Sequence, residues 1–202
     1  METLTHPNPA LSVMDAISER RSVRSYKPIA VDRVTVQRLL AAAVRAPTAI
    51  HEEPWAFVVV QDRELLKRIS DRAKPLFTAE VQRAHLDRGG HALDMFMRPD
   101  FDIFYDASTL IVIWARQSGP FVDADCWLAA ENLMLAACAL GLGSCVIGSA
   151  LAALNLPDVK AELGVPAEFS AIAPIIVGIP ADAAVASPRR EPEVLAWKQA
   201  KP

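Results

Sequence analysis

Residues 122–141 restrict the fold more than any other stretch. They read as one long helix that is apolar on nearly every face, interrupted mainly by Glu131 and Asn132. A helix apolar all round must be buried all round. A chain of 202 residues supplies one substantial core, so this helix is expected at the centre of a dimer. Composition agrees. With 52% hydrophobic and 22% charged residues the chain is globular and on the apolar side, and a second subunit would cover part of that excess.

The other elements follow from periodicity and breakers. Residues 1–11 hold two prolines and read as a flexible N-terminal arm; residues 12–202 read as a single domain. Ser12, with Asp15 three positions on, predicts a capped short helix to about Arg20. Asp32 caps a second helix, whose Val36, Leu39, Leu40, Ala43 and Val44 recur at helical spacing until Pro47 stops it. Trp55–Val60 and Thr109–Ala115 are continuous β-rich apolar runs, read as buried strands; Ser144–Ile147 and Pro174–Ile179 supply two more. A polar helical segment covers about 62–85, and a small helix about 157–163. Residues 87–106 are the least regular stretch, a candidate lid or interface insertion. Helices alternating with a few strands predict an α/β or α+β sandwich.

Several function classes are excluded at this level. A net charge of −3 gives no polyanion surface, so no nucleic-acid partner is expected. The longest apolar run, Leu133–Leu140, is eight residues, far short of a membrane span. No signal-like N-terminus is present, and Cys126, Cys138 and Cys145 show no CxxC spacing, so a reducing cytoplasm is expected. GxSxG, HExxH and Walker patterns are missing, and Gly141-Leu142-Gly143 lacks the third glycine of a dinucleotide fingerprint. His85, Asp87 and His91 have no metal-ligand spacing, so no metal is expected.

The chemistry-bearing cluster is Arg20-Arg21-Ser22-Val23-Arg24. Guanidinium forks match phosphate oxygens in pairs, and a serine hydroxyl adds a further donor. The cluster is either a solvated basic corner at a helix end or an anion site. Arg189-Arg190 would bring the total to five guanidiniums, enough for a dianionic phosphate monoester. His51, Glu52 and Glu53 occupy a polar loop between an amphipathic helix and a buried strand, where α/β ligand sites commonly lie.

In order, the segments RRSVRSY (20–26), RAPTAIHEEPWAFVVV (45–60), FYDASTLIVIWA (104–115), DCWLAAENLMLAACALGLGSCVIG (125–148), PIIVGIP (174–180) and PRREP (188–192) resemble the nitroreductase family of flavin enzymes. The resemblance covers roughly residues 13–197. It implies an α+β three-layer α/β/α sandwich with a mostly antiparallel central sheet, assembled as a homodimer with FMN at the interface. It implies that Arg20, Arg21, Ser22 and Arg24 hold the FMN phosphate and ribityl chain, completed by Arg189 or Arg190. Pro47, Thr48 and Ala49 would line the flavin ring from the partner subunit, in a loop that also carries His51 and Glu53. Backbone groups of Val146, Ile147 and Gly148 would face the ring. The implied reaction is ping-pong hydride transfer from NAD(P)H through flavin to a nitroaromatic, quinone or similar small oxidant, with no catalytic side chain required.

The loop departs from the family. Similar proteins usually carry Asn and Gln where this chain has His51 and Glu53. Amides donate to flavin carbonyls, whereas an ionised glutamate only accepts; Arg24 and Arg45 are candidate partners for Glu53. The departure keeps open a specialised oxidase, dehalogenase or flavin-fragmenting enzyme of the same fold, a non-catalytic flavin-binding protein, and a non-flavin hydrolase acting on a phosphorylated substrate.

Overall fold

A computed structural model describes residues 11–84, 93–116, 119–185 and 187–200. The readings placed on residues 1–10, on 87–92 and on His85, Asp87 and His91 lie outside them.

Four strands form one antiparallel sheet: β1 (Trp55–Val60), β2 (Thr109–Ala115), β3 (Gly143–Val146) and β4 (Ser170–Gly178), in the order β1-β2-β4-β3. Every β2 residue is buried, so its run of β-branched side chains is apolar on both faces. Leu110, Val112 and Trp114 face one helical layer, while Ile111, Ile113 and Ala115 face the other. This alternation makes the chain a three-layer α/β/α sandwich. The α+β class and the mostly antiparallel sheet that the family resemblance implied are both present.

One layer holds α1 (Val13–Glu19), α2 (Arg33–Ala43) and α4 (Pro120–Ala139); the other holds α3 (Arg63–Arg83), α5 (Leu151–Leu154) and α6 (Pro157–Glu162). Ser12 caps α1 in a reciprocal box with Asp15, and Asp32 caps α2 through the Thr35 amide. Helix α4 buries Cys126, Ala129, Ala130, Leu133 and Ala137 against α2 and the sheet, yet Phe121, Trp127 and Leu128 stay exposed. They share that exposure with Val13, Met14 and Ile17 of α1.

The fourth strand is longer than expected, and the described part of the irregular stretch is packed against the core. Strand β4 starts at Ser170, with Pro174 inside it. Pro174 lies one residue past the last β3 pair, Val146–Ile175, so its missing N–H takes no bond from the ladder, and its carbonyl accepts the Ile147 amide at 2.9 Å. Residues 93–106 are turns packed into the core, with Ile103 and Phe104 fully buried. The buried Lys74 ammonium on α3 holds this segment by donating to the carbonyls of Pro99 and Phe101 at 3.3 and 3.0 Å, while pairing with Asp71 at 2.9 Å.

Candidate functional site

Residues 20–26 leave α1 in extended form and lie beside the sheet. Val23 donates to the Ser144 carbonyl at 3.0 Å, Lys27 to Ile179 at 2.9 Å, and Ala181 back to Ser25 at 3.0 Å. Gly143 and Gly178 permit this approach: a Cβ at either position would come within 2.7 Å of the Val23 or Tyr26 side chain. Val23 and Tyr26 turn inward and Ser22, Arg24 and Ser25 outward, with two successive exposed residues breaking a strict alternation. Tyr26 closes the turn by donating its hydroxyl to the Val23 carbonyl at 2.7 Å, and burial pushes its phenol well above the ordinary range.

The outward side chains line a cleft of about 540 Å³ whose walls include Arg21, Ser22, Arg24, Ser25, Asp182 and Arg189. Three guanidiniums from opposite ends of the chain therefore share one hollow. Asp182 is the acidic member of the wall and accepts the Ser25 hydroxyl at 3.3 Å. Arg21 also donates from Nη1 to the carbonyls of Ser18 and Arg20 at the end of α1, so part of its charge does cap a helix. Arg24 lies 6.0 Å above the Tyr105 ring. Burial raises the Tyr105 phenol above its usual value, and the Arg24 cation opposes that rise. Tyr105 is the end of an aromatic series, edge-on to Phe101 at 5.6 Å, which is edge-on to Phe96 at 5.4 Å.

Other expected residues stand apart from this cleft. Arg20 turns to α4, its Nε 3.3 Å from Glu131 Oε1, at an angle that gives an ion pair without a hydrogen bond. Arg20 and Arg190 are not in the cleft wall, and neither is any residue of the 47–53 loop. Val146 ends β3, and Ile147 and Gly148 follow it; the Ile147 amide donates to the Pro174 carbonyl, and Gly148 opens a 3-10 turn.

The 47–53 loop is strained. Ile50, His51 and Glu53 have φ of 50°, 59° and 45°, the left-handed region that β-branched side chains avoid. Each such residue costs on the order of 1–3 kcal/mol and persists only where its surroundings impose it. Ile50 is 83% exposed. Glu52 and Glu53 border a second cleft, of about 370 Å³, with Trp55, Phe169 and Arg116. Arg116 is thus the cation sharing a cleft with Glu53, where the sequence pointed to Arg24 or Arg45. It stacks over Phe169 at 5.3 Å.

Sequence reasoning missed Tyr105 under Arg24, Arg116 beside Glu53, and Asp125 behind the loop. Asp125 left a signal, a carboxylate within an otherwise apolar helix. The cysteines behave as small apolar groups: Cys126 and Cys145 are buried, and burial pushes the Cys126 thiol up to about 12. Among the described residues no helix is long and apolar enough to cross a membrane.

Comparison with known proteins agrees with this architecture. Residues 17–179 match the model of the nitroreductase family. A protein of Archaeoglobus fulgidus, provisionally named NADH dehydrogenase/NAD(P)H nitroreductase, is 30% identical over 167 residues, 82% of this chain and 84% of its own length. The iodotyrosine deiodinase of Thermotoga neapolitana is 26% identical over 180 residues, 88% of this chain and 93% of its own. Among solved structures, a Bacteroides fragilis nitroreductase with bound FMN superimposes with a TM-score of 0.76 at 25% identity, over 94% of this chain and 100% of that one.

Proposed function

The chain belongs to the nitroreductase family, and on that footing we propose that it is an FMN-dependent oxidoreductase that takes hydride from NAD(P)H and passes reducing equivalents to a nitroaromatic, quinone or similar small oxidant. The observation that carries this reading is the convergence of Arg21, Arg24 and Arg189 with the Ser22 hydroxyl in one cleft. Three permanent cations against one carboxylate fit a phosphate dianion, and the hydroxyl offers a donor beside them.

FMN, when bound, supplies the hydride chemistry. The chain's own work is to hold and shape. Arg21, Arg24 and Arg189 neutralise the phosphate, and Ser22 donates to one of its oxygens. The Gly148 amide is a fixed donor for negative charge near the ring. Pro47, Thr48 and Ala49 meet the ring from a second copy, as do His51 and Glu53 on the same loop. A homodimer is supported by the exposed Phe121, Trp127 and Leu128 of α4 and the Val13, Met14 and Ile17 of α1, since apolar faces of this kind call for a partner. No side chain is needed as nucleophile or obligatory base.

Anaerobic titration of the purified protein with NADH and then NADPH, read by flavin absorbance, tests the proposal. Bleaching of a yellow protein and its recovery on adding a nitroaromatic or quinone are expected. A colourless protein that neither retains nor takes up FMN would overturn it. A flavin that neither nicotinamide bleaches would leave a binding protein in place of an enzyme.

One observation favours a second reading. Similarity to an iodotyrosine deiodinase extends over 88% of this chain, and His51 and Glu53 already set its loop apart from the usual amides. Reductive removal of halide from a halogenated phenol is therefore the competing activity. Halide release that tracks consumption of reduced flavin, without nitroaromatic turnover, would select it.

A further inference from the structure

We infer that Asp125 is a positioning residue that fixes the shape of the 47–53 loop, and through it the presentation of Ile50, His51 and Glu53 to the ligand. The inference rests on the proposed function only for what that ligand is. The anchoring itself stands on the geometry of this chain.

Asp125 projects from α4 and is 5% exposed. Both of its oxygens lie on the Ala49 amide, at 3.2 and 3.1 Å. A carboxylate buried beside Cys126 and Ala129 is costly unless hydrogen-bonded, and the bond it makes is charge-assisted. Among the described residues this is the one side-chain hydrogen bond joining the 47–53 loop to another element.

The loop past Ala49 needs such an anchor. Three of its next four residues are non-glycine residues in the left-handed region. Within the loop itself, the Glu52 amide reaches the Ala49 carbonyl at a long 3.3 Å. Ile50 is 83% exposed, so burial of its side chain does not hold the backbone there. The fixed point is Ala49, and what fixes it is a carboxylate that reaches across from α4. Held in this way, the strained face projects away from its own chain before any ligand arrives.

The test uses the full chain carrying Asp125→Ala, Asp125→Asn and Ile50→Gly, alone and combined. Hydrogen–deuterium exchange is read on the peptide spanning 46–54, with and without FMN. Asp125→Ala is expected to speed exchange of that peptide about 10-fold, with peptides from residues 13–24 and 133–146 unchanged. Asp125→Asn, which keeps one acceptor oxygen, is expected in between. With FMN loaded to the wild-type level, Asp125→Ala should raise KM for the oxidant about 10-fold. Ile50→Gly should recover part of that loss, because glycine adopts the left-handed backbone without strain.

Unchanged exchange over 46–54, or an Asn variant no better than Ala, overturns the inference. So does a rise spread evenly over the chain, or failure of both Asp125 variants to fold, since either makes Asp125 a core residue only. A wild-type protein that binds no FMN defeats the proposed function instead, and the exchange measurement on that protein still decides the Asp125 contact.

Discussion

At the arginine cleft the backbone is relaxed and cations are crowded; along the 47–53 loop the charges are the carboxylates of Glu52 and Glu53 and the backbone is strained. Residues 20–26 run as an extended segment bonded to Ser144 and Ile179, and three guanidiniums look into the cleft. Ile50, His51 and Glu53 hold left-handed φ values, tied back by the Ala49 bond to Asp125. The contrast separates two tasks. Affinity for an anion needs permanent charge on a stable strand and tolerates small errors of placement. On the proposed function, selectivity around a reacting ring needs shape, which the strained loop would supply at a cost in stability.

The largest effect is expected at the cleft. Arg24→Ala removes a cation whose proposed hydrogen bonds to the FMN phosphate would be worth about 1.5–3 kcal/mol, so FMN affinity should fall about 100-fold and the protein should purify nearly colourless. Flavin fluorescence titration measures this, and full occupancy in the variant would erase the distinction between cleft and loop. Next comes Gly143→Ala. Its new Cβ would press within 2.7 Å of the Val23 Cβ, forcing residues 20–24 off the sheet and costing about 2 kcal/mol in urea unfolding. FMN binding should weaken with it, because Ser22 and Arg24 ride on that strand.

A smaller change tests whether the cleft is supported from behind. Lys74→Met strips the ammonium from the carbonyls of Pro99 and Phe101 and should cost about 1–2 kcal/mol. Phe101 packs edge-on against Tyr105 beneath Arg24. FMN affinity should therefore slip about threefold, far less than in Arg24→Ala. The smallest effect concerns pH. The hydrogen bond from Lys74 holds the Asp71 carboxyl below its ordinary 3.8. A depressed carboxylate adds stability that is complete above the unfolded value and is lost as pH falls through the folded one. Unfolding free energy should thus decline below 3.8 in the wild type and more shallowly in Asp71→Asn, as denaturant midpoints across that range would reveal.

Much of the fold was legible because its signals are local. Ser12 and Asp32 cap the helices expected of them, and runs such as Trp55–Val60 and Thr109–Ala115 are strands over the predicted residues. Pro174 misled at β4: it pairs with Val112 of β2, and its ring nitrogen lies on the opposite edge of the strand, past the end of β3. The lone-segment reading of 87–106 missed how its described part packs, because a buried ammonium on α3 organises it by contacts distant in sequence.

The sequence by itself determined the helices, the strands and the stock of guanidiniums, since periodicity, capping and charge are properties of neighbours along a chain. Only the tertiary structure decided which arginines meet: Arg21, Arg24 and Arg189 share a cleft, while Arg20 turns to Glu131. It also decided that Arg116 stands beside Glu53 and that Asp125 holds the loop. The physical reason is the same in each case. A side chain's partner is set by where the sheet and helices carry it, and a few ångströms across the fold correspond to distances of tens to more than a hundred residues along the chain.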